Sequence, residues 1–159
     1  MAMRVGIGYD IHPKAQGRKL VLGGVVFESE WGLGGHSDAD VLCHAVADAV
    51  LGAAALEDLG RHFPPGDPRW KDASSLDLLD RIRALLKERG ASVVNVDATL
   101  VAEEPKLGPH RERMRANVAQ ALRVAAGQVS LKATTNEGLD AVGGLQGIAA
   151  WAVAMVEVE

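Results

Sequence analysis

The first dozen residues alternate between apolar side chains and small or polar ones, which predicts a β-strand at the start of the chain. The apolar face carries Met3, Val5, Ile7, Tyr9 and Ile11, and the other carries Arg4, Gly6, Gly8, Asp10 and His12. Because residues two positions apart on a strand point the same way, Asp10 and His12 are expected to project side by side from a core strand. The two glycines leave room for another segment to approach the backbone closely.

The composition is typical of one soluble globular domain, expected to span residues 1–159. Apolar residues make up 48% of the chain and charged residues 24%. No apolar run approaches the ~20 residues that span a bilayer, and no signal-peptide pattern is present, so we expect no membrane association. The net charge of −4 argues against a broad surface for nucleic acid. The single cysteine, Cys43, fits a reducing cytoplasm.

The rest of the chain reads as further strands and three helices in the order ββααβαββ. Strands are predicted at Arg18–Phe27 (with a glycine bend), Val93–Ala102, Gln128–Thr135 and Gly147–Val158. Helices are predicted from about Ala39 to Leu56 with Asp38 as cap, from about Ser75 to Arg89 before Gly90, and after Pro109 with Met114, Val118, Leu122 and Ala125 on one face.

This order predicts an α+β fold, with a mixed β-sheet and helices packed mainly on one face. The other face of the sheet would carry Asp97, Thr99, Ser130 and Lys132. These side chains are too polar for the core of a monomer. We therefore expect this face to line an oligomer interface.

The first predicted helix carries Asp40, His44 and Asp48 at successive i, i+4 positions, which aligns them on one face. His44 could complete a ligand set with Asp10 and His12, and two imidazoles with one carboxylate suit Zn²⁺ with an open fourth position. Asp40 or Asp48 could then orient the imidazole through its second nitrogen. Equally, His44 could pair locally with an aspartate and bind no metal.

Three loops could hold phosphate, although each also has an ordinary structural explanation. "GGHSDAD" offers amides and the Ser37 hydroxyl at a helix N-terminus, or simply a helix cap. "AEEPKLGPH" presents Lys106 as a phosphate contact, or is a surface turn. "KATTNEG" places Thr134, Thr135 and Glu137 where they could bind phosphate and a hard cation, or is a turn at a strand end.

Taken together and in this order, the motifs are far more specific than any one of them. They are "GYDIH", "GGHSDADVLCHAVADAVLGAAALEDLG", "FPPGDP", "NVDATLVAEEPKLGPH" and "VSLKATTNEGL". Over nearly the whole chain they resemble the 2-C-methyl-D-erythritol 2,4-cyclodiphosphate synthase family. The resemblance implies an enzyme of the non-mevalonate isoprenoid pathway that converts 4-diphosphocytidyl-2-C-methyl-D-erythritol 2-phosphate into the cyclic diphosphate and CMP. It also implies a homotrimer with active sites between neighbouring subunits.

Carried over position by position, the resemblance assigns roles to particular residues. The zinc ligands fall on Asp10, His12 and His44, and Glu137 matches the ligand of a second cation, Mg²⁺ or Mn²⁺. His36 and Thr135 match the positions that stabilise the transition state. The matching substrate contacts are Ser37, Asp58, Gly60, the segment from Phe63 to Asp67, Ala102, Pro105, Lys106, Leu107, Ala133 and Thr134.

In the implied reaction, the substrate's own 2-phosphate attacks the β-phosphorus of its cytidine diphosphate group. Both reacting groups belong to one molecule, so positioning and relief of charge repulsion account for catalysis without a covalent nucleophile. Two other readings of the same residues are a non-haem iron oxygenase and a non-catalytic trimeric sensor of metal and nucleotide. The oxygenase reading predicts Fe(II) and a β-sandwich-like fold.

Overall fold

The computed structural model describes all residues from Met1 to Glu159, and none of its helices is both long and apolar enough to cross a membrane. The strands are β1 (Ala2–Gln16), β2 (Leu20–Leu22), β3 (Val25–Phe27), β4 (Trp31–Leu33), β5 (Ala91–Val101), β6 (Val129–Thr134) and β7 (Gly147–Val158). The helices are α1 (Val41–Ala53), α2 (Leu59–His62), α3 (Ser75–Glu88), α4 (Arg111–Leu122) and α5 (Asp140–Gly143). Short 3-10 turns cover Pro68–Trp70, Gly108–His110 and Ala126–Gln128.

Five strands form one mixed sheet in the order β4-β1-β7-β5-β6, in which only β5 and β6 run parallel. Helices α1, α3 and α4 bury one face of this sheet, where Val96, Leu100 and Ala152 belong to the main hydrophobic core. The predicted α+β class, with a mixed sheet and helices mainly on one face, is confirmed. The β-sandwich expected of an iron oxygenase is not formed, and that reading is wrong at the level of fold.

The predicted single strand from Arg18 to Phe27 is wrong, because the chain reverses direction within it. Strands β2 and β3 pair with each other as a separate antiparallel hairpin, with Gly23 and Gly24 at the turn. The backbone amides of both glycines donate to the carboxylate of Asp40, at 2.9 and 2.7 Å. The hairpin is therefore fastened to the start of α1.

Strand β1 is an edge strand for most of its length rather than the predicted core strand. It pairs with β7 from Ala2 to Pro13, whereas β4 covers only its last residues, from Lys14 to Gln16. Its apolar face is exposed on the helix-free side of the sheet. The exposed apolar side chains on this side are Met3, Val5, Ile7, Tyr9, Ile11, Trp151 and Val153.

The opposite face of β1 lies against α1 because two of its residues have no side chain. A Cβ atom on Gly6 would lie 2.0 Å from the carbonyl oxygen of Ala49, and one on Gly8 would lie 1.9 Å from that of Ala45. The helix backbone thus approaches the strand directly, as the glycines predicted. This contact sets the distance between β1 and the helix that carries His44.

Helix α1 is shorter at both ends than predicted, and Asp40 caps it in place of Asp38. The Asp40 side chain accepts a hydrogen bond from the amide of Cys43 at 3.1 Å. Helix α3 ends before Gly90, as predicted, and Gly90 adopts a left-handed φ of 65°. Helix α4 starts after Pro109 but ends at Leu122, so Ala125 lies outside it.

Candidate metal centre and adjoining cavity

Three polar atoms from β1 and α1 converge at one point on the helix-covered side of the sheet. The carboxylate oxygen Oδ2 of Asp10 lies 2.8 Å from Nε2 of His12 and 3.1 Å from Nδ1 of His44. The two histidine nitrogens are themselves 3.1 Å apart. Ligands about 2.0–2.1 Å from a tetrahedral Zn²⁺ would be about 3.3 Å apart, so the group needs to open by only a few tenths of an ångström.

Each of the two rings makes hydrogen bonds through the nitrogen that points away from this point. His12 Nδ1 lies 2.8 Å from the carbonyl oxygen of Gly34, which can only accept, so the proton of the neutral ring is on Nδ1. His44 Nε2 contacts the hydroxyls of Ser75 at 2.9 Å and Ser37 at 3.0 Å. Two imidazole nitrogens and one carboxylate oxygen therefore meet, which is the donor set of a cation site.

Without a cation, the charges of these groups shift one another's pKa values. Burial alone would raise the pKa of Asp10, but hydrogen bonds to His12 and His44 and the attraction of their charges lower it to about 2. Burial opposes protonation of His12, yet its contacts with Asp10 raise the pKa of His12 above 6.5. A cation would take the place of the proton that His12 shares with Asp10.

Neither aspartate that was expected to orient His44 makes a side-chain hydrogen bond to its ring. Asp40 is fully buried and accepts from the amides of Gly23, Gly24 and Cys43. Asp48 accepts from the amide of Leu59 at 2.8 Å and so joins α1 to α2. The expectation is corrected, because Ser37 and Ser75 contact the second nitrogen of His44 instead.

A cavity of about 200 Å³ opens beside the three converging side chains. It is lined by His12, His36, Ser37, His44, Leu59, Gly60, Phe63, Pro65, Trp70 and Leu78. Five of the predicted catalytic or substrate-binding residues thus lie at the same cavity as two of the predicted metal ligands: His36, Ser37, Gly60, Phe63 and Pro65. This arrangement would let a ligand in the cavity reach a cation held by Asp10, His12 and His44.

Hydrogen bonds hold the loop that carries His36 and Ser37 from two sides. The Arg18 guanidinium donates to the carbonyls of Gly35 at 2.9 Å and Ser37 at 2.6 Å. His36 Nε2 lies 2.8 Å from the carbonyl oxygen of Asp67, which ties the loop to the segment containing Phe63. The contact of Arg18 was not predicted, because an arginine in a surface turn gives no sequence signal of its partners.

Two of the predicted substrate-binding aspartates act as caps in this structure. Asp58 accepts from the amide of Arg61 at 2.9 Å and caps α2. Asp67 caps the turn at Pro68 and forms an ion pair with Arg69 at 2.7 Å. The hydrogen bonds from Arg69 lower the pKa of Asp67. Both aspartates lie on the segments that surround the cavity.

The remaining predicted residues lie together at the ends of the parallel strands β5 and β6, away from the metal ligands. These are Ala102, Pro105, Lys106, Leu107, Ala133, Thr134, Thr135 and Glu137. The amide of Ala102 donates to the carbonyl of Thr134 at 2.9 Å, and this bond joins the two segments. Lys106 is exposed and makes no ion pair, so its ammonium group is free to meet an anion.

The sheet register shows how far apart these two groups are within one chain. Asp10 pairs with Ala150, Ala150 with Leu100, and Leu100 with Ala133. With strands about 4.8 Å apart, three spacings separate Asp10 from Ala133 by about 14 Å. That distance is greater than one diphosphate group spans.

Glu137 lies on a strained turn that a second glutamate holds in place. Glu137 has a left-handed φ of 54°, which is unusual for any residue except glycine. The amide of Glu137 donates to Thr135 Oγ1 at 3.2 Å. From the end of β5, Glu103 accepts from the amide of Asn136 at 2.8 Å. Glu103 was not predicted to have a role, and only the neighbouring strand ends bring it to this turn.

The chain is similar to known proteins both in sequence and in fold. The YgbB family model matches residues 3–157. A 2-C-methyl-D-erythritol 2,4-cyclodiphosphate synthase from Dehalococcoides mccartyi is 56% identical over 155 residues, which cover 98% of this chain and 99% of that protein.

Solved structures agree closely with the fold. The bifunctional IspDF from Campylobacter jejuni superposes with a TM-score of 0.95 at 35% identity, over 99% of this chain and 43% of the longer one. A 2C-methyl-D-erythritol-2,4-cyclodiphosphate synthase in its CDP-bound form superposes with a TM-score of 0.88 at 35% identity, over 97% of this chain and 100% of that one.

Proposed function

This chain belongs to the YgbB family, and from that membership we infer that it is a 2-C-methyl-D-erythritol 2,4-cyclodiphosphate synthase. It converts 4-diphosphocytidyl-2-C-methyl-D-erythritol 2-phosphate into the cyclic diphosphate and CMP, which makes it a phosphorus–oxygen lyase of isoprenoid biosynthesis. The observation that carries the proposal is the convergence of Asp10, His12 and His44 beside a cavity that also exposes His36 and Ser37. The lone cysteine, Cys43, is buried in α1, and we place the enzyme in the reducing cytoplasm.

The residues present fit two cations of different character. Asp10, His12 and His44 would hold Zn²⁺, because their donor atoms are two imidazole nitrogens and one carboxylate oxygen. Glu137 would hold a second, harder cation, Mg²⁺ or Mn²⁺, through its exposed carboxylate. Bound there, the cations would oppose the negative charge of the phosphates and polarise their oxygens.

The side chains themselves bind the substrate and orient it for an intramolecular attack. The cavity beside the zinc ligands would take the methylerythritol group, with Phe63 and Leu59 as apolar walls and Ser37 as a hydroxyl contact. Lys106 and Thr134 would hold the cytidine diphosphate, together with Ala102, Pro105, Leu107 and Ala133. His36 and Thr135 would stabilise the charge that grows on a phosphate oxygen in the transition state.

We propose that the enzyme is a homotrimer in which each active site joins two subunits. The helix-free face of the sheet exposes apolar side chains such as Val5 at 64% and Ile7 at 66%, and an apolar patch of this kind indicates a protein interface. The ~14 Å between Asp10 and Ala133 in one chain also favours a site completed by a neighbour. The polar residues Asp97, Thr99, Ser130 and Lys132 would then line part of the interface.

A coupled assay of CMP release tests the activity, with zinc analysis of the same preparation. We expect one zinc per chain and CMP formation that a zinc chelator abolishes. Zinc and cytidine nucleotide binding without CMP formation would favour the non-catalytic sensor instead. The same preparation without substrate is the control.

Mixed trimers test the shared site. Asp10→Ala should disable the part of the site that binds the metal, and Lys106→Ala should disable the part that binds the nucleotide. Equal mixing leaves roughly a quarter of the interfaces with both parts intact. After the two variants are unfolded and reassembled together, activity should exceed that of either variant treated alone. If proven mixed trimers gain no activity, the site lies within one chain and the proposed assembly is wrong.

A further inference from the structure

Two serine hydroxyls contact the same nitrogen of His44, and the hydrogen bonds around them distinguish their roles. Ser75 Oγ lies 2.9 Å and Ser37 Oγ 3.0 Å from His44 Nε2. Ser75 is the first residue of α3 and is 1% exposed, whereas Ser37 lines the cavity. What each serine can offer His44 depends on where its own proton goes.

The proton of Ser75 is committed to Asp38. The Ser75 hydroxyl donates to Oδ1 of Asp38 in a short hydrogen bond, and the Ser75 amide donates to Oδ2 at 3.0 Å. A carboxylate can only accept, so Ser75 is left as an acceptor toward His44. Asp38 is itself held, because its amide donates to the carbonyl of Ala73 at 3.0 Å and its Oδ1 accepts from the amide of Asp40 at 3.1 Å.

We propose that Ser75 and Asp38 are positioning residues that hold His44 as a metal ligand. Asp38 orients the Ser75 hydroxyl, Ser75 accepts the Nε2 proton of His44, and the lone pair on Nδ1 then faces Asp10 and His12. This inference rests on the proposed zinc site and adds residues to it. The Asp38 carboxylate then supports His44 indirectly, through the Ser75 hydroxyl, rather than by a direct hydrogen bond to the ring.

The same hydrogen bonds give Ser37 a different task. Its oxygen accepts from the amide of Ala39 at 3.2 Å, and the Nε2 proton of His44 is already taken by Ser75. The Ser37 proton therefore remains available to a ligand in the cavity. Removing Ser37 should weaken substrate binding, whereas removing Ser75 should weaken metal binding.

Zinc affinity, measured by competition with a chromophoric chelator, tests the proposal on the full-length protein. Ser75→Ala and Asp38→Asn should each bind zinc about 10–100-fold more weakly than the unaltered chain. Asp38→Asn keeps the size of the side chain, but in either orientation its NH2 group faces a backbone amide, that of Ser75 or that of Asp40. Ser75→Thr retains the hydroxyl and should restore tight binding. Ser37→Ala should bind zinc as the unaltered chain does and raise KM in the CMP assay.

Ser74→Ala is the matched control, since Ser74 precedes Ser75 and its side chain makes no capping hydrogen bond. Nitrogen-15 NMR of the metal-free protein gives a second readout, in which the fraction of His44 that carries a proton on Nε2 should fall in Ser75→Ala relative to the unaltered chain. If Ser75→Ala and Asp38→Asn match Ser74→Ala in both zinc affinity and tautomer, the proposal is wrong. If the unaltered chain binds no zinc, the proposed metal centre fails, and the tautomer still decides the role of Ser75.

Discussion

Replacing Gly8 by alanine should damage the metal centre without touching any of its ligands. Gly8 lies two residues before Asp10, and the helix residue that faces it, Ala45, follows His44. A methyl group at this position would lie 1.9 Å from the carbonyl oxygen of Ala45 and 2.8 Å from the amide nitrogen of Ala49. Both atoms belong to the backbone of α1, so no side chain can turn aside to make room.

The size of the effect follows from the distance that the helix must move. The first ordinary contact distance is 3.4 Å, so the backbone at Ala45 has to retreat by about 1.5 Å. Metal–ligand distances tolerate only about ±0.2 Å. We therefore expect Gly8→Ala to lower zinc affinity by at least the 10–100-fold that loss of a supporting contact costs. Overpacking should also lower the free energy of unfolding by about 3 kcal/mol.

Urea unfolding of the metal-free protein and chelator competition with zinc measure the two effects separately. Gly52→Ala is the matched control, since Gly52 lies in the same helix and a Cβ there meets no atom within 4 Å. That variant should keep its zinc affinity and gain about 0.5–1 kcal/mol of stability, because alanine is the better helix former. Gly8→Ala with the stability and zinc affinity of the unaltered protein would refute the close contact between β1 and α1.

Three further predictions concern titratable residues, namely the proposed zinc ligands Asp10, His12 and His44 and the proposed ligand of the second cation, Glu137. His44→Ala should lose zinc and CMP formation while its circular dichroism spectrum stays unchanged, and full zinc occupancy in this variant would remove His44 from the ligand set. Glu137→Gln should keep zinc but respond poorly to added Mg²⁺ or Mn²⁺, since an amide is a weaker ligand for a hard cation; an unchanged activation curve would contradict this role. In the metal-free protein, the ion pair of Asp10 and His12 should stabilise the fold fully between pH 3.8 and 6.5, because the pKa of Asp10 is lowered and that of His12 is raised. Urea titrations should show this contribution disappear as the pH falls toward about 2 and as it rises through the pKa of His12. The variant His12→Gln should lose the decrease at high pH and keep part of the decrease at low pH, because His44 also lowers the pKa of Asp10.

The convergence of Asp10, His12 and His44 could be predicted in part, because local geometry determines most of their arrangement. The two-residue period of β1 places Asp10 and His12 on one side, and the glycines before them indicate that another segment packs closely against the strand. That neighbour is α1, and His44 lies in its first turn. The His44 ring therefore lies close to Asp10 and His12, next to the contact between Gly8 and Ala45. Each of the three residues lies on a regular element, but periodicity alone left a local pairing of His44 with an aspartate open. Only the resemblance to the family assigned the three residues as zinc ligands.

The residues that support the ligands could not be predicted in the same way. Ser75 reaches His44 from a position 31 residues further along the chain, and Asp38 contacts Ser75 across 37 residues. No spacing rule relates the end of one loop to the start of another helix. Asp40 and Asp48 have the correct helical spacing to His44, but the amides of Gly23, Gly24 and Leu59 occupy their carboxylates.

The hydrophobic pattern also could not predict which face of the sheet the helices cover. Alternating apolar residues from Met3 to Ile11 indicate a buried face, but the pattern does not say what buries it. In β1 the glycine-containing face meets α1, and the apolar face is left open on the helix-free side. A subunit interface and an internal core leave the same pattern in a strand, so the sequence cannot distinguish them.

The position of the proposed metal centre at the start of α1 poses an electrostatic problem that the charges of nearby aspartates reduce. The N-terminus of a helix carries a partial positive charge of roughly +0.5, which disfavours a cation. The carboxylate of Asp40 caps this end and accepts the Cys43 amide, and its negative charge contributes to the raised pKa of His12. Asp48, one turn beyond His44, adds a further negative charge that interacts with Asp10 and His44. The two aspartates therefore favour a cation through their charge, while the direction of the His44 ring is left to Ser75.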